Sequence, residues 1–277
     1  MKDASPLRYP GGKWRIAPFF ERFIELNGLN GFSYVEPYMG GASLALSLLF
    51  KNQVSAIYLN DLDPAIHAFW YSVLNHNDKF LARLAEVAIT PAEWINQKNI
   101  YSQGISSGKF ALGFATFYLN RTNHSGLLNG GMIGGRNQNG EWKIDARFNR
   151  IELHRRIERI GQFSDRIRLF NMDAIDFSQA RYFPKNSVFY FDPPYYYAGN
   201  RLYLNSYKPS DHKAVSLRIQ RLKYPWVLSY DDVSEIRSMY KTVKSRRLQL
   251  LHSARDARSG KEVLFFAPGL KVPSRLK

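Results

Sequence analysis

The pattern of apolar and polar positions divides this chain into short strands and intervening helices. Six short runs rich in β-branched and aromatic residues predict buried strands. They lie at residues 32–35, 54–59, 166–170, 187–190, 226–230 and 262–266. Apolar residues at helical spacing follow the first two runs, at 44–50 and 65–74. Strands that alternate with helices in this way predict an α/β fold.

A long helical and loop-rich segment interrupts this alternation. Residues 65–119 have helical spacing in several pieces, and a charged helix follows further on. Between them, residues 120–143 are rich in glycine and asparagine, which at this length predicts either a functional loop or a disordered one. We therefore expect a mostly helical insert at 76–159 within an α/β domain formed by residues 1–75 and 160–277.

Composition and charge narrow the class of protein. The 277 residues are 45% apolar, which suffices for a full core. Lysine and arginine number 39 against 23 acidic residues, and the net charge of +16 favours a polyanionic partner, although a merely basic protein has the same total. The chain has no cysteine, and its six histidines lack ligand spacing, so we expect no disulfide and no metal centre.

Targeting signals are equally informative. No uninterrupted apolar run approaches the length of a membrane span, and the first residues lack the apolar core of a signal peptide. We therefore expect a cytoplasmic protein without membrane contact.

The stretch Asp192-Pro193-Pro194-Tyr195 follows the apolar run 187–190, where a buried strand should end. Two prolines stop the strand and stiffen its exit, at the edge where open α/β sheets place ligands. A carboxylate and a main-chain carbonyl there suit a poor nucleophile such as the exocyclic amine of adenine, because two acceptors draw its nitrogen toward tetrahedral geometry. Tyr195 is expected to stack on the base. The alternative is a Pro-Pro turn in which Tyr195 is simply packed.

A glycine turn between the first strand and the first apolar helix predicts a nucleotide-type site. The turn is Glu36-Pro37-Tyr38-Met39-Gly40-Gly41, whose glycines permit close approach to a nucleoside, and Glu36 suits a cationic ligand. Asp61 lies 20 positions beyond Gly41, the spacing at which dinucleotide folds bind a ribose hydroxyl, although an ordinary turn aspartate is the alternative. Asp63 before Pro64 predicts a helix N-cap.

In their order along the chain, these motifs resemble those of the Dam-like (D12 class) DNA adenine-N6 methyltransferase family. Tyr9 and Lys13 match the opening aromatic-x-Gly-Gly-Lys, residues 36–43 the cofactor loop, and residues 192–195 the catalytic loop, so the resemblance covers nearly the whole chain. It implies a Rossmann-like methyltransferase sheet with a DNA-recognition insert and S-adenosyl-L-methionine as methyl donor. The implied reaction is site-specific methylation of N6 of a flipped-out adenine in double-stranded DNA.

The resemblance also implies roles for individual residues. Asp61 corresponds to the acid that binds the cofactor ribose, and Asp173 to the acid that accepts the amino group of its adenine, with Asp176 as a helix cap. The implied cofactor residues are Tyr9, Lys13, Glu36, Pro37, Gly40, Asp61, Asp173 and Asp192. The implied catalytic residues are Asp192, Pro193, Pro194 and Tyr195, with the Asp192 carboxylate and the Pro193 carbonyl accepting the two N6 hydrogens.

Asn120-Arg121 followed by Gly126-Leu127 resembles the target-recognition segment of the same family. Arginine, asparagine and glutamine are the side chains that read guanine and adenine edges. Enzymes that read GATC commonly carry an arginine two positions past this leucine, where the present chain has asparagine, so GATC is not assigned. A floppy surface loop is the alternative, above all for 130–140. The expected DNA-binding residues are Asn120, Arg121, Asn123, Ser125, Asn129 and Arg136.

Three further features of the sequence predict a position in the fold or a contact with DNA. His212 is expected at the surface or as a helix cap. The segment 196–207 is a candidate flap around an extruded nucleotide, in which four tyrosines either contact the base or pack: Tyr196, Tyr197, Tyr203 and Tyr207. A phosphate-contacting patch or a charged hairpin is predicted by Arg246, Arg247, Arg255, Arg258 and Lys261.

Two other classes of protein fit part of this pattern. One is an amino-methyltransferase that acts on RNA or on protein glutamine, and Asp192 argues against it because glutamine enzymes prefer asparagine there. The other is a non-catalytic DNA-binding module that retains the fold, and the intact cofactor residues argue against that. We expect a monomer, and a cognate restriction enzyme, a phage role and a regulatory role all stay open.

Overall fold

The computed structural model of the chain describes residues 4–9, 12–179, 182–197, 207–249 and 261–274. Its strands are β1 (Ser33–Glu36), β2 (Ile57–Asn60), β3 (Ile167–Phe170), β4 (Ser187–Phe191), β5 (Trp226–Asp231), β6 (Lys244–Gln249) and β7 (Lys261–Phe266). Its α-helices are α1 (Ala17–Leu26), α2 (Ser43–Phe50), α3 (Pro64–Asn75), α4 (Asn77–Glu86), α5 (Pro91–Ser102), α6 (Lys109–Thr122), α7 (Arg150–Gln162), α8 (Ala174–Gln179), α9 (Pro209–Gln220) and α10 (Ser234–Met239). Short 3-10 helices lie at Lys13–Ile16, Gly104–Ser107, His124–Gly126 and Ser164–Arg166.

The strands form a seven-stranded sheet in the order β3-β2-β1-β4-β5-β7-β6. The first five strands of the chain run parallel, whereas β7 is antiparallel to both β5 and β6. The α/β prediction is therefore confirmed, and the six predicted strands are present apart from their exact ends. Sequence reasoning missed β6, because this edge strand is charged and largely exposed and so lacks an apolar run.

Alternate residues of the central strands point to opposite faces of the sheet, and helices cover both faces. On one face, Tyr34 and Tyr190 join an apolar cluster with residues of α1, α2 and α3. On the other face, Phe189 and Phe191 join a second cluster with residues of α8, α9 and α10. Burial on both faces explains why these strands have continuous apolar sequences. It also leaves the carboxyl ends of the strands as the edge open to a ligand.

The helices of the predicted insert share the core of the sheet. α6 packs against α3 and α5, α4 packs against α3 and α7, and Phe114 and Phe117 belong to the same apolar cluster as Tyr34. Gly113 lets α6 approach α3, since a Cβ at this position would lie 2.3 Å from the Ala68 carbonyl oxygen. The limits of the insert at 76 and 159 stay a prediction.

The glycine-rich segment after α6 has a defined conformation. The Gln138 side chain donates to the carbonyl oxygens of Ile133 at 2.9 Å and Gly135 at 2.6 Å, and it accepts from the Ile144 N–H at 2.8 Å. An isolated antiparallel bridge joins Asn123 and Met132. The structure therefore describes this segment as a folded loop, and its function stays a prediction.

Candidate active site

A cleft opens at the carboxyl ends of the parallel strands, where the strand order reverses between β1 and β4. It encloses about 930 Å³ that no atom occupies, including space open to solvent. Its walls come from the N-terminal segment and from the residues that follow β1, β2, β3 and β4. All eight residues predicted for the cofactor line it: Tyr9, Lys13, Glu36, Pro37, Gly40, Asp61, Asp173 and Asp192.

Asp61 ties the glycine turn to the end of β2. Its Oδ2 accepts from the Gly40 N–H at 2.9 Å, and its Oδ1 accepts from the Asp63 N–H at 3.0 Å. Burial raises the pKa of Asp61 to about 6, although these two hydrogen bonds lower it. Asp63 caps α3 as predicted, since its carboxylate accepts from the Ala65 N–H at 2.8 Å. Asp61 is thus held in place and still borders the cleft.

Gly40 brings the turn into contact with the ring of Tyr9. Its φ is 43°, and a Cβ at this position would lie 2.6 Å from Tyr9 Cε1. Its carbonyl oxygen accepts from the indole N–H of Trp70, in α3, at 3.0 Å. Both the left-handed backbone and the close approach require glycine here.

Asn60 joins three loops of the cleft, and sequence reasoning missed it. Its side-chain N–H groups donate to the carbonyl oxygens of Pro37 and Met172, each at 3.0 Å, and its Oδ1 accepts from the Met172 N–H at 2.9 Å. The side chain is buried at the end of β2. In the sequence, Asn60 is a polar residue at the end of an apolar strand, directly before the predicted ribose acid Asp61. This position is the signal that could have identified it.

Glu36 is a buried carboxyl group at the end of β1. The Tyr34 hydroxyl donates to its Oε1 at 3.3 Å, whereas its Oε2 has no hydrogen-bond partner among the described residues. Burial, followed by the charge of Asp192, raises the pKa of Glu36 well above its usual value, against the opposing effects of Tyr34 and Lys13. A buried oxygen without a partner in the wall of a cleft is a position for a ligand's donor or positive group.

Asp173, not Asp176, caps α8. Its Oδ1 accepts from the N–H groups of Ile175 at 2.8 Å and Asp176 at 3.4 Å. The capping role predicted for Asp176 was therefore wrong, because the helix begins at Ala174 and places Asp176 in its first turn. The Asp173 side chain is also exposed in the cleft, so capping leaves it accessible to a ligand.

Both carboxylate oxygens of Asp192 have partners. The Ser229 hydroxyl donates to Oδ1 at 2.5 Å, and Lys13 Nζ lies 2.9 Å from Oδ2. Behind Ser229, the Tyr190 hydroxyl lies 2.9 Å from the Ser229 oxygen. Because Ser229 gives its proton to Asp192, Tyr190 is the donor in that contact. Sequence reasoning missed Ser229, although a serine inside the apolar strand β5 is a visible signal.

The Lys13 ammonium lies at the catalytic loop. Besides its ion pair with Asp192, it donates to the Tyr195 hydroxyl at 3.0 Å, and it lies 3.8 Å from Glu262 Oε1. Its side chain is only 7% exposed. The structure thus places a predicted cofactor residue directly against the predicted catalytic acid.

Of the predicted catalytic residues after Asp192, Pro194 lines the cleft, whereas Pro193 and Tyr195 do not. Pro193 is buried. The half-buried Tyr195 ring has its centroid 6.3 Å from that of Tyr230. Tyr195 therefore already has protein neighbours, as in the packed alternative, and its stacking on a base stays a prediction.

The tyrosines after the catalytic loop are tied to the sheet. Asp231, at the end of β5, accepts from the N–H groups of Tyr196 at 3.0 Å and Tyr197 at 3.2 Å. The hydroxyls of Tyr207 and Tyr38 lie 2.9 Å apart, and both residues line the cleft. The predicted contact Tyr203 lies outside the described residues.

His212 is buried, so the expectation of a surface or capping position was wrong. The residue is 1% exposed, and its Nδ1 lies 2.6 Å from the Tyr230 hydroxyl. Its ring packs against Tyr196 and Tyr207, with centroids 4.9 and 5.4 Å away. Burial lowers the pKa of His212, which favours the neutral ring. His212 is the fourth residue of α9, and its side chain faces the sheet. Sequence reasoning missed this because it considered only that the residue lies near the start of a helix.

Asn120 and Asn123 are buried, so the prediction that their side chains face DNA was wrong for this structure. Asn120 donates to the Arg8 carbonyl oxygen at 2.9 Å and accepts from the Arg8 N–H at 2.7 Å. Asn123 donates to the Leu127 carbonyl oxygen at 2.8 Å and accepts from the Trp94 indole at 2.7 Å. Leaving such a buried group unpaired costs about 1–3 kcal/mol. Both asparagines instead shape the loop and hold it to the N-terminal segment.

The other predicted DNA contacts are more accessible. Ser125, Asn129 and Arg136 are exposed, and Arg121 is half-buried. Ser125 has a φ of 56°, in the left-handed region, which fixes a sharp turn beside α6. Their contact with DNA stays a prediction.

The arginines near the last strands make contacts within the protein. Arg246 donates to the carbonyl oxygens of Pro273 and Ser274, and Arg247 lies 2.8 Å from Asp232. The antiparallel pairing of β6 with β7 agrees with the charged-hairpin alternative. Arg255, Arg258 and the Lys261 side chain lie outside the part of the chain that the structure describes.

Metal and membrane sites were also sought among the described residues. Within them, no group of three or more histidine and acidic side chains is placed to hold a metal ion. No described helix combines the length and the apolar character that a membrane crossing needs.

The strand order, with β7 antiparallel beside β5 and a cleft at the switch point, defines a Rossmann-like methyltransferase fold. Residues 9–253 match the sequence profile of the family described as D12 class N6 adenine-specific DNA methyltransferase. The chain belongs to that family, which the resemblance of its motifs had predicted.

Solved structures with similar folds are distant. SMU.472, a putative methyltransferase complexed with SAH, is 21% identical, with a TM-score of 0.30, over 44% of this chain and 30% of its own. A putative class I S-adenosylmethionine-dependent methyltransferase from Listeria monocytogenes is 12% identical, with a TM-score of 0.40, over 94% of this chain and 61% of its own. The chain thus spans less than two thirds of either neighbour, and the fold assignment depends on its own strand order. No curated protein matches the chain.

Proposed function

We propose that this chain transfers a methyl group from S-adenosyl-L-methionine to N6 of an adenine flipped out of double-stranded DNA at a specific site. The observation that carries the proposal is the single cleft in which the eight predicted cofactor residues, Asp192 among them, lie together. A base inside a duplex cannot enter such a cleft, so the target must be extruded.

The residues of the cleft suit the methyl donor. S-adenosyl-L-methionine supplies an activated methyl group on a sulfonium, and it also carries an ammonium, a ribose and an adenine. The partnerless Oε2 of Glu36 would accept from or neutralise a positive group. Asp61 would accept from the ribose hydroxyls, and Asp173 from the adenine amino group. Gly40 and Tyr9 would form the wall between them.

Asp192 and Pro193 would prepare the target nitrogen. The Asp192 carboxylate would accept one N6 hydrogen and the Pro193 carbonyl the other, which frees the nitrogen lone pair for attack. Ser229 holds one oxygen of Asp192 before any substrate arrives. Acceptors that are already in place need no reorganisation in the transition state, and this lowers the barrier.

Charge and exposed side chains support DNA as the substrate. The net charge of +16 favours binding to the phosphate backbone through release of counterions. Ser125, Asn129 and Arg136 are exposed and would reach the duplex, while Asn120 and Asn123 would hold the loop that carries them.

Methyl incorporation from labelled S-adenosyl-L-methionine into duplex DNA, RNA and protein tests the proposal. We expect incorporation into duplex DNA alone, and long-read sequencing of DNA from cells that express the chain should locate N6-methyladenine at one recurring site. Asp192→Ala should lower methylation by at least about 100-fold, the scale on which loss of a preorganised stabilising group acts. Binding of DNA and of S-adenosylhomocysteine should persist. Label in RNA or protein only, or normal methylation by Asp192→Ala, would overturn the proposal.

A further inference from the structure

A buried ammonium group lies between carboxylates that come from distant parts of the chain. Lys13 Nζ is 2.9 Å from Asp192 Oδ2 and 3.8 Å from Glu262 Oε1. The side chains of Lys13 and Glu262 are 7% and 3% exposed, so water screens their interaction little. The charges of Lys13 and Asp192 also act on Glu36, in opposite directions. The carboxyl groups of Asp192, Glu262 and Glu36 therefore all interact electrostatically with Lys13.

Glu262 reaches this cluster from β7, which lies two strands away from β4 in the sheet. It lies on β7 opposite Asp231 of β5, whereas Asp192 follows β4, on the other side of β5. Glu262 does not line the cleft, in contrast to Lys13 and Asp192. Glu262 therefore does not face a substrate directly, and its ion pair with Lys13 links it to the cleft.

We propose that Glu262 is a positioning residue that balances the charge of Lys13, so that the ammonium does not hold the Asp192 carboxylate too tightly for it to accept from the target amine. This inference rests on the proposed function, because it concerns how Asp192 receives the target amine. With Glu262 neutral, Lys13 would pair more strongly with Asp192 and compete with the N6 hydrogen for its oxygen. With Lys13 neutral, the carboxylates would repel one another.

The other titratable groups that face Asp192 do not change charge near neutral pH in the same way. Burial raises the pKa of the phenols of Tyr34, Tyr190 and Tyr230 well above the usual value, so they stay neutral. Tyr195 accepts its hydrogen bond from Lys13 itself. The charged groups beside Asp192 are therefore Lys13 and Glu262, since the raised pKa of Glu36 favours its neutral form.

A double-mutant cycle of Lys13→Met, Glu262→Gln and the combined variant tests this balance. For Lys13→Met, loss of a positive neighbour should move the acid limb of the kcat/KM profile to higher pH. For Glu262→Gln, loss of a negative neighbour should move it to lower pH, and kcat at the optimum should fall. In the combined variant the limb should return toward its original pH. Its kcat should be about tenfold or more above the product of the two single effects, as expected for residues in direct contact.

A matched control is the exposed pair of Lys51 and Glu21, whose side chains are 49% and 22% exposed. Lys51→Met and Glu21→Gln should act additively and leave the pH profile unchanged, because solvent screens this pair. Thermal unfolding and far-UV circular dichroism will show that each variant is folded.

The outcomes separate this inference from the proposed function. If the natural chain methylates DNA and Asp192→Ala does not, but the Lys13 and Glu262 variants are additive with unshifted acid limbs, Glu262 has only a structural role and the inference is overturned. Titration of the Asp192 carboxyl carbon by NMR in the same variants needs no methyl transfer. Midpoints that fail to move in opposite directions would overturn the inference even if the substrate is not DNA.

Discussion

Ser229→Ala should lower both activity and stability, for two reasons that can be separated. The Ser229 hydroxyl donates to Asp192 at 2.5 Å and accepts from Tyr190, and both Ser229 and Tyr190 are fully buried. Alanine removes the donor to Asp192 and leaves the Tyr190 hydroxyl without that acceptor. An orphaned buried hydroxyl costs about 1–3 kcal/mol, and a hydrogen bond to a charged group contributes about 1.5–3 kcal/mol.

These magnitudes translate into measurable changes. If the bond to Asp192 is fully expressed in the transition state, its loss lowers kcat roughly 10- to 100-fold, since about 1.4 kcal/mol corresponds to a factor of ten. The orphaned hydroxyl should lower the free energy of unfolding, and Tm should fall by about 2–4 °C for each kcal/mol in a chain of this size.

Two companion variants separate the effects. Tyr190→Phe keeps the Ser229 donor, so kcat should stay near that of the natural chain with a small change in Tm. Tyr190→Phe combined with Ser229→Ala removes the orphaned hydroxyl, so Tm should partly recover while kcat stays low. Methyl incorporation gives kcat and KM, and calorimetry gives Tm.

Either half of this reasoning can fail independently. A Ser229→Ala enzyme with unchanged kcat would refute the role of Ser229 in orienting Asp192. A combined variant no more stable than Ser229→Ala would refute the assignment of the stability loss to Tyr190.

Two further predictions concern the cofactor half of the cleft. Because the pKa of Asp61 is raised to about 6, affinity for S-adenosylhomocysteine should fall as the pH is lowered through that value, and calorimetry of Asp61→Asn should show no such dependence. The same raised pKa means that the folded state binds the proton more tightly, so this carboxyl lowers the free energy of unfolding as pH rises from 3.8 to about 6. Gly40→Ala should weaken that affinity at least about tenfold, because its Cβ would meet Tyr9 at 2.6 Å and its φ of 43° costs about 1–2 kcal/mol for a residue with a Cβ. Binding should not recover fully when Tyr9 is shortened to alanine in the same chain, and unchanged binding by Gly40→Ala would contradict the close approach.

Strands and turns could be predicted because their signals are local. The buried strands of a sheet covered on both faces need continuous apolar runs, and each of the six runs predicted as strands overlaps one. β6 was not predicted because an edge strand pairs with only one neighbouring strand and keeps charged residues toward solvent. The places of Glu36, Gly40 and Asp61 in the cleft could be expected from the glycine turn and the spacing to Asp61, since both follow from single strand ends. Those of Tyr9, Lys13 and Asp173 followed from the family resemblance, and binding of the cofactor by these residues stays a prediction.

The supporting residues of the site could not be predicted because their partners are distant in sequence. Asn60 bonds to Met172, and Ser229 bonds to Asp192, contacts that exist only once the strands are ordered in the sheet. The error at Asn120 and Asn123 has a related cause. An asparagine amide can read a base edge or satisfy the carbonyls of its own loop, and composition alone does not choose between them.

The contacts of Lys13 show that the Asp-Pro-Pro-Tyr loop does not by itself determine the environment of Asp192. The loop supplies a carboxylate, but the field at that carboxylate is set by a lysine near the start of the chain and a glutamate on β7. A loop of the same sequence without that pair would present its carboxylate in a different electrostatic field. The environment of Asp192 is therefore a property of the assembled sheet, because it is complete only when the N-terminal segment, β5 and β7 all meet at the end of β4.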